Sequence, residues 1–474
     1  MATGVRKFAT KEEYQKHWDH CQGNEQLYKT RAENHHPSLQ AAIDQKLLNN
    51  ETHVIDIFDF DKFHARLTDL TTAFHEDFFT HALAIKSQSI SGILCYANKH
   101  FAGKVGIEGA SLGEVTHGSN AGFAARDTIY DSPVKTKADL EIAVQKNFHI
   151  NLDNNDDMEV IQQLLQKYPN STSTFGVRIN PLAGEGAIST ASTAGIGSKF
   201  GLIYCEETFD EILGYFKKYP FLAGVHCHVG SQGCSLELLA NGARIITEAA
   251  EKLNQHLDNK NQVNIIDIGG GVPTSYDSEF DAVPFIAYRK VLEKICPNLL
   301  SGKYRVITEF GRAIFTKCGV TVTKVFSKKG SDANGSKIDQ LRFANNLNPI
   351  LFAHVGSNVF FREVYQPESW RRRFTVYNSD GSINQNQNMI KYDIAGPLCF
   401  QGDYLCKEVL LPDNVEKGDL LVMHETGGYS MSLYSKYNSL PSHDCYSWSE
   451  NDGFKLMKPK ETMDQVLNFW GPYE

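Results

Sequence analysis

Lys86 ends the run HALAIKSQ at residues 81–88, and its amine is a candidate for chemistry. Side chains alternate along an extended strand, so Ala82, Ala84 and Lys86 share one face and Leu83 and Ile85 the other. A parallel strand buried on both faces is apolar throughout. A lysine at its end is therefore an exposed terminus or a buried amine able to condense with a carbonyl. Lys99, in CYANKH, competes for that task. Three other runs carry groups suited to an anion. IDIGGGVP at 266–273 offers successive glycine N–H groups with no Cβ in the way, although GGG alone serves equally as a tight strand-to-loop turn. EFGRAI at 309–314 places a glycine and a forked donor just past a strand, with Glu309 facing the same mouth; alone it would read as a surface ion pair. HCHVGSQ at 226–232 puts two imidazoles, His226 and His228, on one side of a strand; no third ligand stands at metal spacing, and no metal is assigned.

Anion-binding turns, an acid and a lysine, all at strand ends, describe a site for a phosphorylated, planar, aldehyde-bearing cofactor. The lysine would form an imine with the aldehyde, and backbone and arginine would grip the phosphate. A carboxylate beside the ring nitrogen would keep it protonated, each raised pKa unit being worth about 1.4 kcal/mol.

The elements that must position these groups follow from periodicity. From 53 to about 310, apolar runs (HVIDIFDF, HALAIKS, KVGIEGAS, FHINLD, TFGVRIN, AGVHCHVGS, VNIIDIGGG, YRVITEFGR) alternate with amphipathic stretches such as KADLEIAVQK and LELLANGARIITEAAEKL. Strand–helix alternation of this length predicts an α/β (β/α)8 TIM-type barrel, working at its C-terminal rim. After about 315, short strands with polar turns predict a β-rich, barrel- or sandwich-like C-terminal domain. The expected division is an N-terminal helical extension over 1–50 packed on the β domain, a cofactor-binding barrel over 51–314 and the β-rich domain over 315–474. The 474 residues carry a formal charge of −9, which disfavours nucleic acid and anionic membranes as partners. No apolar stretch approaches the ~18 residues of a spanning helix, the first twenty residues lack a signal-peptide core, and the ten cysteines are scattered without a CxxC. A cytoplasmic protein with reduced thiols is expected.

In this order HALAIKSQ, GIEGASLGE, GVRINP, GSKFGL, GVHCHVGSQ, IDIGGGVP, EFGRAI, AGPLCFQGD and GDLLVMHETGGYSMSLYSKYN resemble the motifs of the fold-type III pyridoxal-phosphate decarboxylases, over about residues 50–445. The chain is most similar there to diaminopimelate decarboxylase, within the ornithine/diaminopimelate/arginine decarboxylase group. The resemblance implies pyridoxal 5'-phosphate as cofactor, an amino acid as substrate, a place in amino-acid metabolism such as lysine biosynthesis, and a homodimer with shared active sites. It implies that Lys86 holds the cofactor as an imine, His228 stacks on the ring, Glu309 pairs with the ring nitrogen and Arg178 lies beside the ring. Ser231, Gly269, Gly270, Gly271, Gly311, Arg312 and Tyr429 would bind the phosphate. Cys399 would reach into the partner subunit's site and help protonate the product. Lys99 falls on the following helix, because only 15 residues separate it from Glu114, too few for a crossover and a return strand.

The substrate end departs from the family pattern. Phe400 and Gln401 follow Cys399 where an acidic residue usually holds a distal ammonium, and a ring cannot pair with that charge. GSNVFFREVY at 356–365 is similar to the segment that grips a distal carboxylate, with Arg362 in register, Tyr365 one residue early and the proline missing. Arg312, Arg362, Tyr365, Phe400 and Tyr429 are the expected substrate contacts, and RRR at 371–373 reads as a solvated turn. A decarboxylase acting on an amino acid with a distal carboxylate is expected. The alternatives are action on another amino acid, a racemase, a non-catalytic pyridoxal-binding homologue and a metal-dependent barrel using His226 and His228.

Overall fold

The computed structural model describes residues 11–278 and 283–473. These form two compact units, one of 65–274 and 283–314, the other of 11–64, 275–278 and 315–473.

The first unit is a closed barrel of eight parallel strands. In order they are Phe79–Ala84, Val105–Gly109, Thr128–Asp131, His149–Leu152, Thr174–Asn180, Leu222–His226, Ile265–Asp267 and Arg305–Thr308. Each pairs with the next, and the eighth closes on the first through Val306 and Phe79. The helices between them carry local start signals. Thr136 and Asp139 form a reciprocal capping box ahead of Lys137–Gln145, and the Asn154 side chain caps Asn155–Lys167. Leu236–His256 buries Leu239, Ala243, Ile246, Ala250 and Leu253, one face of a 3.6-residue repeat. The sequence reading missed the third strand, TIYD, because two of its four residues are polar.

Register decides what the barrel encloses. Residues directly opposite each other in neighbouring strands point to the same face. Glu309 follows Ile307 at the spacing of two, Ile307 lies opposite Thr80, and Ala84 lies opposite Glu108. Carrying the pairing round puts Glu108, Asp131, Asn151, Arg178, His226 and Asp267 on that face, at or near the strands' C-terminal ends. One layer below, Ala82, Ile129, Ile265 and Ile307 form a small apolar floor. An apolar layer thus lies beneath the ionic rim.

In the second unit, a six-stranded sheet runs in the order Phe374–Tyr377, Leu420–Met423, Gly319–Lys324, Val54–Asp59, Asp444–Ser449 and Gly453–Lys458. A four-stranded sheet joins Ser327–Lys329, Ile350–Phe352, Met389–Ala395 and Tyr404–Pro412. Val54–Asp59, counted above among the barrel strands, pairs instead with Gly319–Lys324 and Asp444–Ser449. A buried apolar run looks the same whichever sheet it joins, so periodicity cannot decide its neighbours. Helices Lys11–Gly23 and Glu25–Asp44 belong to this unit; Tyr377 donates to the Ala32 carbonyl at 2.7 Å, and Arg31 to that of Phe374 at 3.3 Å. No helix among the described residues is long and apolar enough to cross a membrane.

Ile129 is fully buried in the apolar floor, so Ile129→Ala should lower unfolding free energy by about 2–5 kcal/mol in urea denaturation, through lost transfer energy and a residual cavity. A loss under about 1 kcal/mol would mean that the floor is not packed as described.

Candidate active site

The first strand stops at Ala84, and Lys86 lies in a single 3-10 turn, Ile85–Ser87, just beyond it. The Ala84 N–H donates to the Phe310 carbonyl at 3.1 Å, which holds this turn beside the end of the eighth strand. Lys86 Nζ contacts both carboxylate oxygens of Glu108 at 2.7 Å; Glu108 is fully buried, while the lysine side chain is 38% exposed. Burial pushes the Glu108 carboxyl up to about 8, against the pull of Lys86. Sequence reasoning missed Glu108, although a lone acid inside the apolar strand VGIEG was its signal. Lys99 lies exposed on helix Ser91–Phe101.

Glu309 is 4% exposed at the centre of the rim. Its Oε2 lies 3.5 Å from His226 Nε2 and 4.0 Å from His228 Nδ1. His226 Nδ1 faces Asp131 at 3.6 Å, and Asp131 receives a 2.8 Å hydrogen bond from Arg178. The two His226 contacts are too long for good hydrogen bonds and are ionic. Burial opposes charge on His226, but Asp131, Asp267 and Glu309 outweigh it and raise its pKa to about 9. Burial likewise opposes charge on Glu309, yet His226 and Lys86 hold its carboxyl well below the usual range. His228 is pushed down to about 3, first by burial and then by Lys86, Arg178 and His226 beyond the opposing pull of Glu309, so it is a neutral ring. Arg178 also stacks on Phe200, its Cζ 4.2 Å from the ring centroid.

The strand expected through HCHVGS ends at His226, and His228 lies in the loop beyond. There His228 Nδ1 accepts from the Gly270 N–H at 3.1 Å. Asp267 pins the glycine turn, accepting from the Gly269 N–H at 2.9 Å and from Asn151 at 3.0 Å. A Cβ at Gly270 would lie 2.2 Å from the Glu309 carbonyl oxygen, so only glycine lets this turn approach the eighth strand. At Gly311 a Cβ would meet Ser87 Oγ at 2.7 Å, beside the lysine turn. Arg312, 4% exposed, opens the short helix Arg312–Phe315. The Ser231 N–H donates to the Ala191 carbonyl at 2.8 Å.

Glu309 Oε1 is buried and without a hydrogen-bond partner among the described residues. An ionised carboxylate with one oxygen unsatisfied fits a protonated ring nitrogen. The amine, the neutral ring and the glycine turns fit the rest of a pyridoxal phosphate.

In the β-rich unit, Arg362 is sandwiched between Tyr429 and Trp370, its Cζ 4.6 and 5.1 Å from their centroids. Tyr429 takes a left-handed φ of 56°. Phe400 stacks on Tyr365 with centroids 6.0 Å apart and planes at 11°, and meets the edge of Tyr437 at 6.0 Å. Cys399 is exposed, its N–H donating to Asn438 at 2.8 Å. Asp403 accepts from the N–H groups of Ser357 and Leu398, both at 2.8 Å, and so joins the loop before Arg362 to the loop bearing Cys399. The solvated turn expected at 371–373 is corrected: Arg372 and Arg373 are 1% and 2% exposed, paired with Glu363 and Glu425. Each buried guanidinium is thus offset by a buried carboxylate on another element.

Residues 61–316 match the family "Pyridoxal-dependent decarboxylase, pyridoxal binding domain". The chain belongs to this family. It is therefore a carboxy-lyase that uses pyridoxal phosphate. It is 28% identical over 382 residues to the diaminopimelate decarboxylase of Buchnera aphidicola subsp. Baizongia pistaciae, covering 77% of this chain and 82% of that one. It is 23% identical over 369 residues, with the same two coverages of 77% and 82%, to the L-glutamyl-[BtrI acyl-carrier protein] decarboxylase of Niallia circulans. Diaminopimelate decarboxylase from Helicobacter pylori, solved with L-lysine, shares the fold at a TM-score of 0.75 and 22% identity, covering 90% of this chain and 98% of that one. Asp131, His226 and Glu309 have donor atoms within 4.8 Å of one another. In this decarboxylase, however, Arg178 already engages Asp131, and the family assigns the barrel to pyridoxal.

The folded pKa of His226, about 9, lies above its unfolded value. Its charge thus contributes stability that is fully present below about pH 6.5 and is lost as pH rises through the folded value. The difference in urea-unfolding free energy between wild type and His226→Gln should shrink from pH 6 to pH 9. A difference that grows with pH would refute a charged His226.

Proposed function

We propose that this decarboxylase removes carbon dioxide from an amino acid bearing a distal carboxylate, as a homodimer with shared active sites. One observation carries the reading: a buried, ionised Glu309 presents an unsatisfied oxygen on the barrel face that Glu108, the partner of Lys86, shares. Pyridoxal phosphate, when bound, supplies an aldehyde for amines and a ring that accepts the electron pair left by the departing carboxylate.

Lys86 is the amine that anchors the cofactor, and Glu108 takes and returns its proton. Glu309 holds a proton on the ring nitrogen, and the neutral imidazole of His228 stacks on the ring. Arg178 fixes Asp131 and, through it, His226, which keeps Glu309 ionised. Ser231, Gly269, Gly270, Gly271, Gly311, Arg312 and Tyr429 bind the phosphate by N–H, hydroxyl and guanidinium donors. Cys399 reaches into the partner subunit's site and donates a proton to the product carbon.

The distal half of the pocket decides the substrate. Relatives and neighbours are named for diaminopimelate, arginine and an L-glutamyl carrier protein, which differ at that end. Here the Phe400–Tyr365 stack offers no countercharge to an ammonium. Arg362, braced between two rings, offers a forked cation to a carboxylate. A site built around a polar partner rejects analogues that lack it.

Borohydride reduction of the cofactor-loaded enzyme followed by peptide mapping should place the label on Lys86; label elsewhere, or none, would overturn the proposal. In a panel of diaminopimelate, lysine, ornithine, arginine and glutamate, carbon dioxide release should favour compounds with a distal carboxylate. Arg362→Ala should raise KM for the best of them by about 100-fold with kcat little changed, the pattern of lost uniform binding. Equal turnover of lysine and diaminopimelate by that variant and by wild type would remove Arg362 from the pocket.

A further inference from the structure

Asp403 lies buried in the β-rich unit, where three segments of backbone meet. Its Oδ1 accepts from the Ser357 N–H and its Oδ2 from the Leu398 N–H, both at 2.8 Å, while its own carbonyl accepts from the Gly396 N–H at 2.8 Å. Glycine makes this approach possible. A Cβ at Gly356 would overlap both carboxylate oxygens of Asp403, and one at Gly396 would overlap Oδ2 and the Gly356 Cα. Neither glycine takes a positive φ, so contact with that carboxylate, not backbone conformation, excludes a side chain there. Each arm of this clamp ends at a group with a part in the function proposed above. On one arm, the Gly356 carbonyl accepts from the Val359 and Phe360 N–H groups at 3.0 Å, a turn that opens the helix Phe361–Tyr365 carrying Arg362. On the other, Leu398 precedes Cys399, whose N–H is held by the Asn438 side chain at 2.8 Å. The stack of Tyr365 on Phe400 ties the same two arms a second time, since Tyr365 ends the Arg362 helix and Phe400 follows Cys399.

We propose that Asp403 is a positioning residue that couples distal recognition at Arg362 to proton donation by Cys399. The inference rests on the function proposed above and deepens it: one carboxylate sets where both side chains start from. A carboxylate suits the task because it accepts at both oxygens and donates at neither. An amide in its place keeps the size but turns an NH2 group toward one of the two N–H donors, and so releases that arm. Displacement of one arm is thus passed to the other through a single side chain.

Hydrogen exchange read by mass spectrometry on the cofactor-loaded enzyme tests the coupling without any substrate. Gly356→Ala presses a methyl against Asp403 from the Arg362 arm. Exchange in the peptide containing Leu398 and Cys399, on the other arm, should then rise by about fivefold, as the loss of one hydrogen bond gives. Barrel peptides should exchange as in wild type. Asp403→Asn, nearly isosteric, serves where Gly356→Ala does not fold. Its KM for the best distal-carboxylate substrate should rise and its kcat fall, each by about tenfold. In an Arg362→Ala background Asp403→Asn should add nothing to KM, and in a Cys399→Ala background nothing to kcat, because it acts through those groups. Additive losses in both cycles would mean a merely structural carboxylate, and unchanged exchange at Leu398 in folded Gly356→Ala would break the coupling; either result overturns the proposal. Failure of the underlying reading looks different: Arg362→Ala alone would leave KM unchanged while exchange still responds across the clamp.

Discussion

An ionised carboxylate at the centre of a protein is expensive, and the barrel is arranged around keeping Glu309 in that state. Moving an isolated charge out of water costs several kcal/mol even after relaxation. The cost is met by alternation: Arg178 faces Asp131, Asp131 faces His226, and His226 faces Glu309. Each buried charge has an opposite neighbour, so removing any one member leaves its neighbour uncompensated. Lys86 pairs with Glu108, an acid on the same inward face. Burial raises that acid to about 8, and Lys86 also helps to hold Glu309 ionised, so the two sets of charges are linked through one amine.

The alternation depends on register more than on any single side chain. Asp131, His226 and Glu309 come from the third, sixth and eighth strands or just past them, and meet only because a parallel pleat puts their positions on one face. A one-residue slip in any of these strands would turn its charge outward and an apolar residue inward. The apolar floor of Ala82, Ile129, Ile265 and Ile307 specifies that register, because a slip would also empty the floor. Beyond the strand ends the backbone takes over. Asp267 ties down the glycine turn, and the Ala84–Phe310 hydrogen bond sets the lysine turn against the eighth strand.

The sequence made some of this legible and hid the rest for physical reasons. HALAIKSQ and EFGRAI could be read because an amine and an acid at the ends of apolar runs are locally anomalous. The barrel could be read because strand–helix alternation is a local pattern repeated many times. TIYD failed as a strand because its inward residues are Ile129 and Asp131, one apolar and one charged, so alternation does not separate inside from outside. Glu108, Asp131 and Asp267 passed unnoticed for the same reason: an acid in a strand looks solvated until the barrel is closed. Arg372 and Arg373 were misread because Glu363 and Glu425 are their partners across other elements, and a run of like charges carries no record of its countercharges.

The barrel groups and those of the β-rich unit proposed above as substrate contacts differ in how their positions are fixed. Lys86, Glu108, His226 and Glu309 are constrained together by sheet register and mutual charge, so a change at one is felt by all. Arg362, Tyr365, Cys399 and Phe400 sit on or beside loops that Asp403 and ring stacking hold in place. Under the function proposed above, residues on these loops can change the distal group that is accepted without touching the groups that hold Glu309 ionised, which are His226, Lys86 and their neighbours in the barrel.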